Sequence, residues 1–462
     1  MPEHVKENNR KQLRIRNAQY DSNWSIIYKY MTAKNASDKL HSNVLIFPAG
    51  SEIAFEINNA LKYSKFITVF GGSSVLDHSE FVYSNYCSSF PQITDDGFID
   101  FLNNYIEANR IDFIYPALDV VQVFLVDNAD RINAKIVSAD RNVVDTLRSK
   151  ERTYAALEGE QFIPKTYEDI ASIDCFPVFV KPAIGQGAQG ARKVCSVDEI
   201  GDIDGMVLCE YLPGAEYTVD CLTNADGKLL YCNLRSRDRI RTGISVRTTR
   251  RDIDDDLMFI ANRINSKFKF VGAWFFQVKK NSAGEYKLME ISPRIPGTMG
   301  LSRNLGVNFP LLTIMIMSGI DVSVVPNDYS ILLDRAFISR YEIGYKYKTV
   351  YIDFDDVIVC NDKVNMRAID FLYQCAEKSI DVYLLTRHAK NIKKSLKDYR
   401  IAESLFKKII WIRNGAPKSK YIDGDFPIFI DDSFREREEV RDSLSIPVFD
   451  VDMIESLLDW RV

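Results

Sequence analysis

Two β-rich runs, Ala273-Trp274-Phe275-Phe276-Gln277-Val278 and Tyr286-Lys287-Leu288-Met289-Glu290-Ile291, flank the turn-forming stretch Asn281-Ser282-Ala283-Gly284. That pattern reads as an antiparallel hairpin. With the turn centred near Ser282-Ala283, Gln277 faces Leu288 and Phe275 faces Glu290. Strand alternation then puts Gln277 and Glu290 on one face, diagonal to each other at roughly 7–8 Å. A carboxylate ending an apolar strand is costly to hide without a partner. A hard cation taking oxygen ligands at about 2.1 Å fits between the two side chains and a bound phosphate. Arg294, four residues beyond Glu290, adds a forked donor suited to a phosphoryl group.

At 462 residues the chain exceeds what one hydrophobic core supports, so several domains are expected. Residues 1–42 are polar and lean basic, and read as a surface arm or helix. From 43 to 145, strands such as Val44-Leu45-Ile46-Phe47 and Phe66-Ile67-Thr68-Val69-Phe70 alternate with helical periods, which means βαβ units and a parallel sheet. The turn Gly50-Ser51-Glu52 is placed to meet a ligand, although any strand-to-helix turn favours glycine. From 146 to 340 the texture changes to strands, glycine turns and clustered arginines. After a junction, a fresh α/β pattern runs over 348–462.

In the middle segment, Val178-Phe179-Val180-Lys181 is a strand ending in a point charge, followed by Gly185-Gln186-Gly187-Ala188-Gln189-Gly190. Such a loop either lets backbone N–H groups approach phosphate or is a plain hairpin turn. Val207-Leu208-Cys209 enters Glu210-Tyr211-Leu212, whose apolar walls and backbone groups suit an adenine, and Glu216 suits ribose hydroxyls. Taken in order, Lys150, Lys181 with its glycine loop, Glu210-Tyr211-Leu212, Gln277 and Glu290-Ile291-Ser292-Pro293-Arg294 resemble the ATP-grasp superfamily, and more closely its carbamoyl-phosphate-synthase-like branch. The likeness covers about 43–320 and includes a Rossmann-like pre-ATP-grasp domain ahead of the α+β ATP-grasp domain.

The resemblance implies that Lys150, Lys181 and Gly187 contact phosphates, and that Glu210, Tyr211, Leu212 and Glu216 hold adenosine. It also implies Mg²⁺ (or Mn²⁺) on Gln277, Glu290 and Ser292, with Arg294 on the γ-phosphate. The family asparagine is Ser292 here, and a hydroxyl is a poorer metal ligand than an amide carbonyl, so a second ion is expected to bind more weakly. Such a site phosphorylates a substrate carboxylate, and an amine or related nucleophile then displaces the phosphate. The run Arg235, Arg237, Arg239, Arg241, Arg247, Arg250 and Arg251 is either a solvated basic face or a source of carboxylate-binding arginines. Arg235 and Arg241 are the leading candidates, with Arg303 and Asn304 closing the pocket.

In the last segment, Tyr351-Ile352-Asp353-Phe354-Asp355 ends an apolar strand with two carboxylates on one side. One can attack phosphorus while the other acts as general acid, with Mg²⁺ countering their repulsion. Val382-Tyr383-Leu384-Leu385-Thr386, then Lys418 (or Lys420), then Phe429-Ile430-Asp431-Asp432 complete four motifs. These resemble the haloacid-dehalogenase (HAD) phosphatase superfamily, in its α/β form without a cap domain. The resemblance makes Asp353 the nucleophile, Asp355 the acid/base, Thr386 and Lys418 the phosphate binders, and Asp431 with Asp432 the partners of Asp353 and Asp355 around the metal.

The expected whole is an α/β multidomain enzyme, an ATP-dependent carboxylate–amine ligase fused to a phosphatase, acting on small carboxylates, amines and a phosphorylated substrate. The alternatives are a phosphatase with a nucleotide-sensing half, or a scaffold that keeps both folds. A net charge of −5 argues against a general nucleic-acid binder. Eight scattered cysteines without a C-x-x-C pair read as buried reduced thiols. Four histidines without ligand spacing speak against zinc. With no apolar leader and no bilayer-length apolar stretch, a cytoplasmic protein without membrane contact is expected, and a homo-oligomer is compatible with everything above.

Overall fold

A computed structural model describes residues 41–185, 189–241 and 243–461. The arm assigned to 1–42 therefore lies outside the described residues apart from His41 and Ser42, and Ser42 already opens the first strand. The chain divides into two compact units, one ending at Ala336 and the other starting at Phe337.

The first unit begins with a parallel sheet of β1 (Ser42–Phe47), β2 (Ile67–Gly72), β3 (Asn85–Cys87), β4 (Phe113–Pro116) and β5 (Lys135–Ile136), in the order β3-β2-β1-β4-β5. Val44, Leu45, Ile46 and Phe47 are all buried, as expected of a strand covered on both faces. The strand order reverses between β1 and β4, the place where open α/β sheets leave a crevice at their carboxyl ends. Residues 43–145 share the unit with the next segment for a packing reason. The helix Phe309–Met317 returns to the helix Glu52–Leu61, joining Phe309, Ile314 and Ile316 to one core with Val44 and Ile57.

A smaller antiparallel sheet follows, with β6 (Thr166–Tyr167), β7 (Val178–Pro182), β8 (Arg192–Val194) and β9 (Met206–Glu210) in the order β6-β9-β7-β8. The largest sheet comprises β10 (Glu216–Thr223), β11 (Leu229–Ser236), β12 (Arg239–Arg241), β13 (Ile244–Arg251), β14 (Gly272–Lys280) and β15 (Tyr286–Ser292), with β16 (Leu332–Asp334) paired to β13. Its order is β12-β13-β11-β10-β14-β15. One face is apolar: Val219, Cys221, Trp274, Phe276, Val278, Leu288 and Ile291 meet Leu257, Ile260, Ala261, Ile264 and Phe268 of the helix Asp255–Phe268. Asp254 caps that helix by accepting from the Leu257 N–H.

The β14–β15 hairpin forms with a different register from the expected one. Val278 pairs with Leu288, and Gln277 pairs directly with Glu290, because the ladder shifts between Gln277 and Val278. Met289 is the extra residue of a bulge, so Leu288 and Glu290, two apart, face opposite sides of the sheet. Leu288 enters the core and Glu290 joins the polar face.

The second unit is a parallel sheet of β17 (Thr349–Ile352), β20 (Asp381–Thr386), β21 (Lys408–Trp411), β22 (Pro427–Ile430) and β23 (Val448–Phe449), ordered β21-β20-β17-β22-β23. A short hairpin of β18 (Val359–Cys360) and β19 (Lys363–Val364), then the helix Met366–Glu377, fill the chain between Asp355 and β20, and no further domain is inserted there. The central β17 is fully buried, so its carboxyl end is held rigidly beside those of β20 and β22. The eight cysteines are free thiols; Cys209, Cys221 and Cys375 are buried as expected, whereas Cys175 and Cys195 are exposed. No helix among the described residues is long and apolar enough to cross a membrane.

Candidate active sites

The polar face of the large sheet carries one continuous cross-strand row. Arg235 on β11 pairs with Thr218 on β10, Thr218 with Gln277 on β14, and Gln277 with Glu290 on β15. Directly opposed residues share a face with Cβ atoms about 5 Å apart, so the amide and the carboxylate are nearer than the diagonal placement expected. Ser292 joins the same face opposite Phe275.

Four cations are electrostatically coupled to Glu290: Lys150, Lys181, Arg237 and Arg294. Lys150 begins the helix Lys150–Ala156. Burial lowers its pKa, and neighbouring Lys181 and Arg148 add to the effect against the pull of Glu290. Lys181 is buried on β7, and its Nζ donates to the Tyr154 hydroxyl at 2.7 Å. Burial alone would lower its pKa, but Tyr154, Cys209 and Glu290 outweigh that and raise it. A pocket lined by Arg148, Lys150, Gly185, Glu290, Ser292 and Arg294 opens beside this cluster. Gly187 lies outside the described residues.

Several residues are engaged differently from the simplest expectation. Arg294 does not present a free fork: Nη2 donates to Asp119 Oδ2 at 3.0 Å, and its plane lies over the Phe275 ring. Glu216 is paired with Arg237 at 2.7 Å rather than left open for ribose. Glu210 accepts from the Lys165 N–H at 2.9 Å, while Lys193 caps the Tyr211 ring at 4.4 Å and Leu212 is buried. Arg241 is exposed on β12, at the opposite end of the sheet from Glu290. Five strand spacings of about 4.8 Å separate the two, so the structure does not bring Arg241 to the Glu290 pocket. Arg303 is held by Glu56 at 2.8 Å, and the Asn304 amide donates to the Gly300 carbonyl, so neither closes the pocket.

Arg235 is different. It is 1 % exposed and clamped by Asp220, Nε to Oδ2 at 3.0 Å and Nη2 to Oδ1 at 3.1 Å. Ser302 donates to the same carboxylate at 3.2 Å and accepts from the Asn233 amide at 2.9 Å. The remaining nitrogen, Nη1, is buried without a hydrogen-bond partner, as is Thr218 Oγ1 next to it in the row. Buried polar atoms are nearly always paired, so these two leave hydrogen-bonding capacity unused within the row. Asp119, Tyr154, Thr218 and Asp220 escaped the sequence reading. Asp220 left one usable trace, a charge inside an apolar strand one hairpin away from a basic run.

In the second unit the carboxylates of Asp353, Asp431 and Asp432 bring ligand atoms within 4.8 Å of one another. Lys418 is buried between two of them, 3.0 Å from Asp353 and 2.5 Å from Asp431, whereas Lys420 is exposed. Burial, then the Asp353 charge acting against Lys418, pushes the Asp431 carboxyl up to about 6. Thr386 is fully buried at the end of β20, and its Oγ1 accepts from the His388 N–H at 3.1 Å. Asp355 is not part of the metal-type cluster. Its side chain turns to His388 Nδ1 at 2.8 Å, and His388 Nε2 meets Ser395 Oγ at 2.8 Å. His388 was missed because a lone histidine carries no spacing signal. Three carboxylates outnumber Lys418, the nearby Arg387 being paired with Glu436, and the excess negative charge suits a divalent cation.

A family described as "ATP-grasp in the biosynthetic pathway with Ter operon" matches residues 202–333. Among curated proteins, none matches this chain. Solved structures resemble it more broadly. One is the biotin carboxylase of Campylobacter jejuni, 15 % identical, covering 62 % of this chain and 73 % of its own, with a TM-score of 0.51. Another is the biotin carboxylase domain of the Hydrogenobacter thermophilus 2-oxoglutarate carboxylase, in complex with MgADP and bicarbonate (13 %, 63 % and 74 %, 0.53). A third is an N5-carboxyaminoimidazole ribonucleotide synthetase in complex with ADP (13 %, 64 % and 81 %, 0.52). The chain thus contains an ATP-grasp-ligase-like fold.

Proposed function

We propose that the first unit is an ATP- and Mg²⁺-dependent ligase that activates a small carboxylate as an acyl phosphate and passes the acyl group to an amine or related nucleophile. The observation that carries this is the polar row itself. Glu290 and Gln277 at one end offer the oxygen ligands of a metal–nucleotide site, and a buried arginine nitrogen without a hydrogen-bond partner stands at the other.

Lys150 and Lys181, in addition to Arg294 and Arg237 with their own carboxylate partners, bring positive charge to Glu290 that a triphosphate would use. Lys150 and Lys181 would bind its phosphates, and residues 210–212 would wall the adenine. Glu290, Gln277 and, more weakly, Ser292 would hold Mg²⁺, which neutralises phosphate charge when bound. Arg294, oriented by Asp119, would contact the γ-phosphoryl group. Arg235 Nη1 and Thr218 Oγ1 would hold the acceptor carboxylate. Its oxygen attacks the γ-phosphorus, the bond to the ADP oxygen breaks, and the amine then expels phosphate from the acyl carbon. Within the superfamily, Pro293-Arg294 after Glu290 supports the carbamoyl-phosphate-synthase-like branch, from whose asparagine Ser292 departs.

We read the second unit as a HAD-type phosphatase. Asp353 would attack phosphorus, and Lys418 and Thr386 would steady the phosphoryl oxygens. Asp355, positioned by His388, would protonate the leaving oxygen and then deprotonate the hydrolytic water. Asp353, Asp431 and Asp432 would hold Mg²⁺.

Release of ADP across a panel of amino acids, hydroxy acids and sugar acids, with and without amines, tests the first reading. Phosphate release from phosphomonoesters without ATP tests the second. The ligase reading requires ADP release that depends on a carboxylate and disappears in Glu290→Ala. Turnover untouched by that substitution would sink it.

A further inference from the structure

The basic residues of the second unit are unevenly placed. From Arg387 to Arg413 there are nine lysines and arginines against two acids, in a unit that otherwise carries an acidic excess. The overall charge of −5 conceals this segregation. Lys390, Lys393, Lys394, Lys397 and Arg400 are all exposed, and Lys393, Lys394, Lys397 and Arg400 line an open groove with Ile401 and Glu403. Lys393 is paired with Glu403. Among the described residues no carboxylate lies within ion-pair distance of Lys390, Lys394, Lys397 or Arg400.

This ridge is bolted to the phosphatase-type centre. Ser395, between Lys394 and Lys397 on the helix Ile392–Asp398, turns inward to His388, which in turn holds Asp355. Tyr399 packs near Phe354, the residue between Asp353 and Asp355. The buried side of the helix thus supports the acid/base carboxylate, and its outer side carries unneutralised cations. Aromatic rings flank the same strand ends. Trp411 pairs with Thr386 across β20–β21 and lies under the Arg413 guanidinium, and Phe434, two residues past Asp432, is 64 % exposed.

Cations in a row, with aromatic rings at the nearby strand ends, are what a single-stranded nucleic acid needs: the backbone is neutralised and its bases stack. A small phosphomonoester would leave the ridge unused, and an acidic peptide would not explain the aromatic flanks. We propose that the 390–400 ridge docks the backbone of a single-stranded nucleic acid whose terminal phosphate is presented to Asp353. This rests on the phosphatase reading for the fate of that phosphate, but not for the docking itself.

The test uses the full-length chain and short fluorescent oligothymidylates phosphorylated at the 5′ or the 3′ end. Binding is measured with Asp353→Asn so that the probe survives, and hydrolysis with Asp353 intact, beside p-nitrophenyl phosphate. Lys394→Glu/Lys397→Glu is expected to weaken oligonucleotide binding at least about tenfold at low salt. The milder Lys394→Gln/Lys397→Gln should lower the salt-dependence slope by about 1.4, some 0.7 for each lost contact. Both should leave p-nitrophenyl phosphate hydrolysis unchanged. Unaltered binding in these variants would overturn the proposal, and so would polyglutamate competing as well as the oligonucleotide. Equal losses on both phosphatase substrates would likewise reduce the ridge to a structural support. If the wild type hydrolyses neither substrate yet binds the oligonucleotide through the ridge, the docking stands and the phosphatase reading fails.

Discussion

Asp119 and Arg294 join the crevice of the parallel sheet to the polar row of the large one. Burial on its own would raise the Asp119 pKa, but Arg294, with Arg148 and Lys150 behind it, holds the carboxyl below its usual value. A depressed carboxyl pKa stabilises the fold fully above the unfolded value of about 3.9, and that contribution is lost as pH falls through the folded value. Asp119→Asn should therefore destabilise the first unit at pH 7 by about 3–5 kcal/mol in urea unfolding, since it strands a buried guanidinium. The gap from wild type should narrow below about pH 4; a pH-independent gap would contradict the pairing. Arg235 calls for a gentler change, because deleting it would strand Asp220. Arg235→Lys keeps the charge but cannot span Asp220 and a ligand together. It should raise the acceptor KM at least about tenfold while the KM for ATP holds steady, and equal shifts in both would remove Arg235 from the acceptor site.

At the scale of elements, the hairpin was legible but its register was not. Alternating β-formers and an Asn-Ser-Ala-Gly turn announce two strands, whereas a bulge at Met289 has no local signature and is set by the need to bury Leu288 while freeing Glu290. The arginine run was equally ambiguous. Only the sheet order separates Arg235, buried beside Asp220, from Arg241 on an exposed edge. Beneath the polar row, Trp274 is fully buried and stacked on Phe270 with centroids 4.3 Å apart. Trp274→Ala should cost about 3–5 kcal/mol in denaturant unfolding and loosen the strand that presents Gln277. A loss below about 1 kcal/mol would mean that the core collapses around the gap.

Across the whole molecule, each unit presents a cluster of charged side chains at strand ends, and their positions were readable because strand endings marked by Lys181, Glu290, Asp353, Thr386 and Asp431 recur in order. Contacts made over long sequence distances were not readable. His388 to Asp355 and Asp119 to Arg294 depend on topology that no local pattern encodes. Two sites in two compact units should fail independently. Asp353→Asn is expected to abolish phosphomonoester hydrolysis and leave ADP release intact, with Glu290→Ala doing the reverse. Loss of both activities from either single change would point to one shared centre. The most direct test is Mg²⁺-dependent ADP release by the wild type and by Glu290→Ala on a carboxylate that the wild type accepts. A fall of at least about a hundredfold in Glu290→Ala is expected, since the carboxylate would hold the Mg²⁺ that neutralises the transferring phosphoryl group. ADP release at the wild-type rate would contradict the assignment of this row as the ATP site.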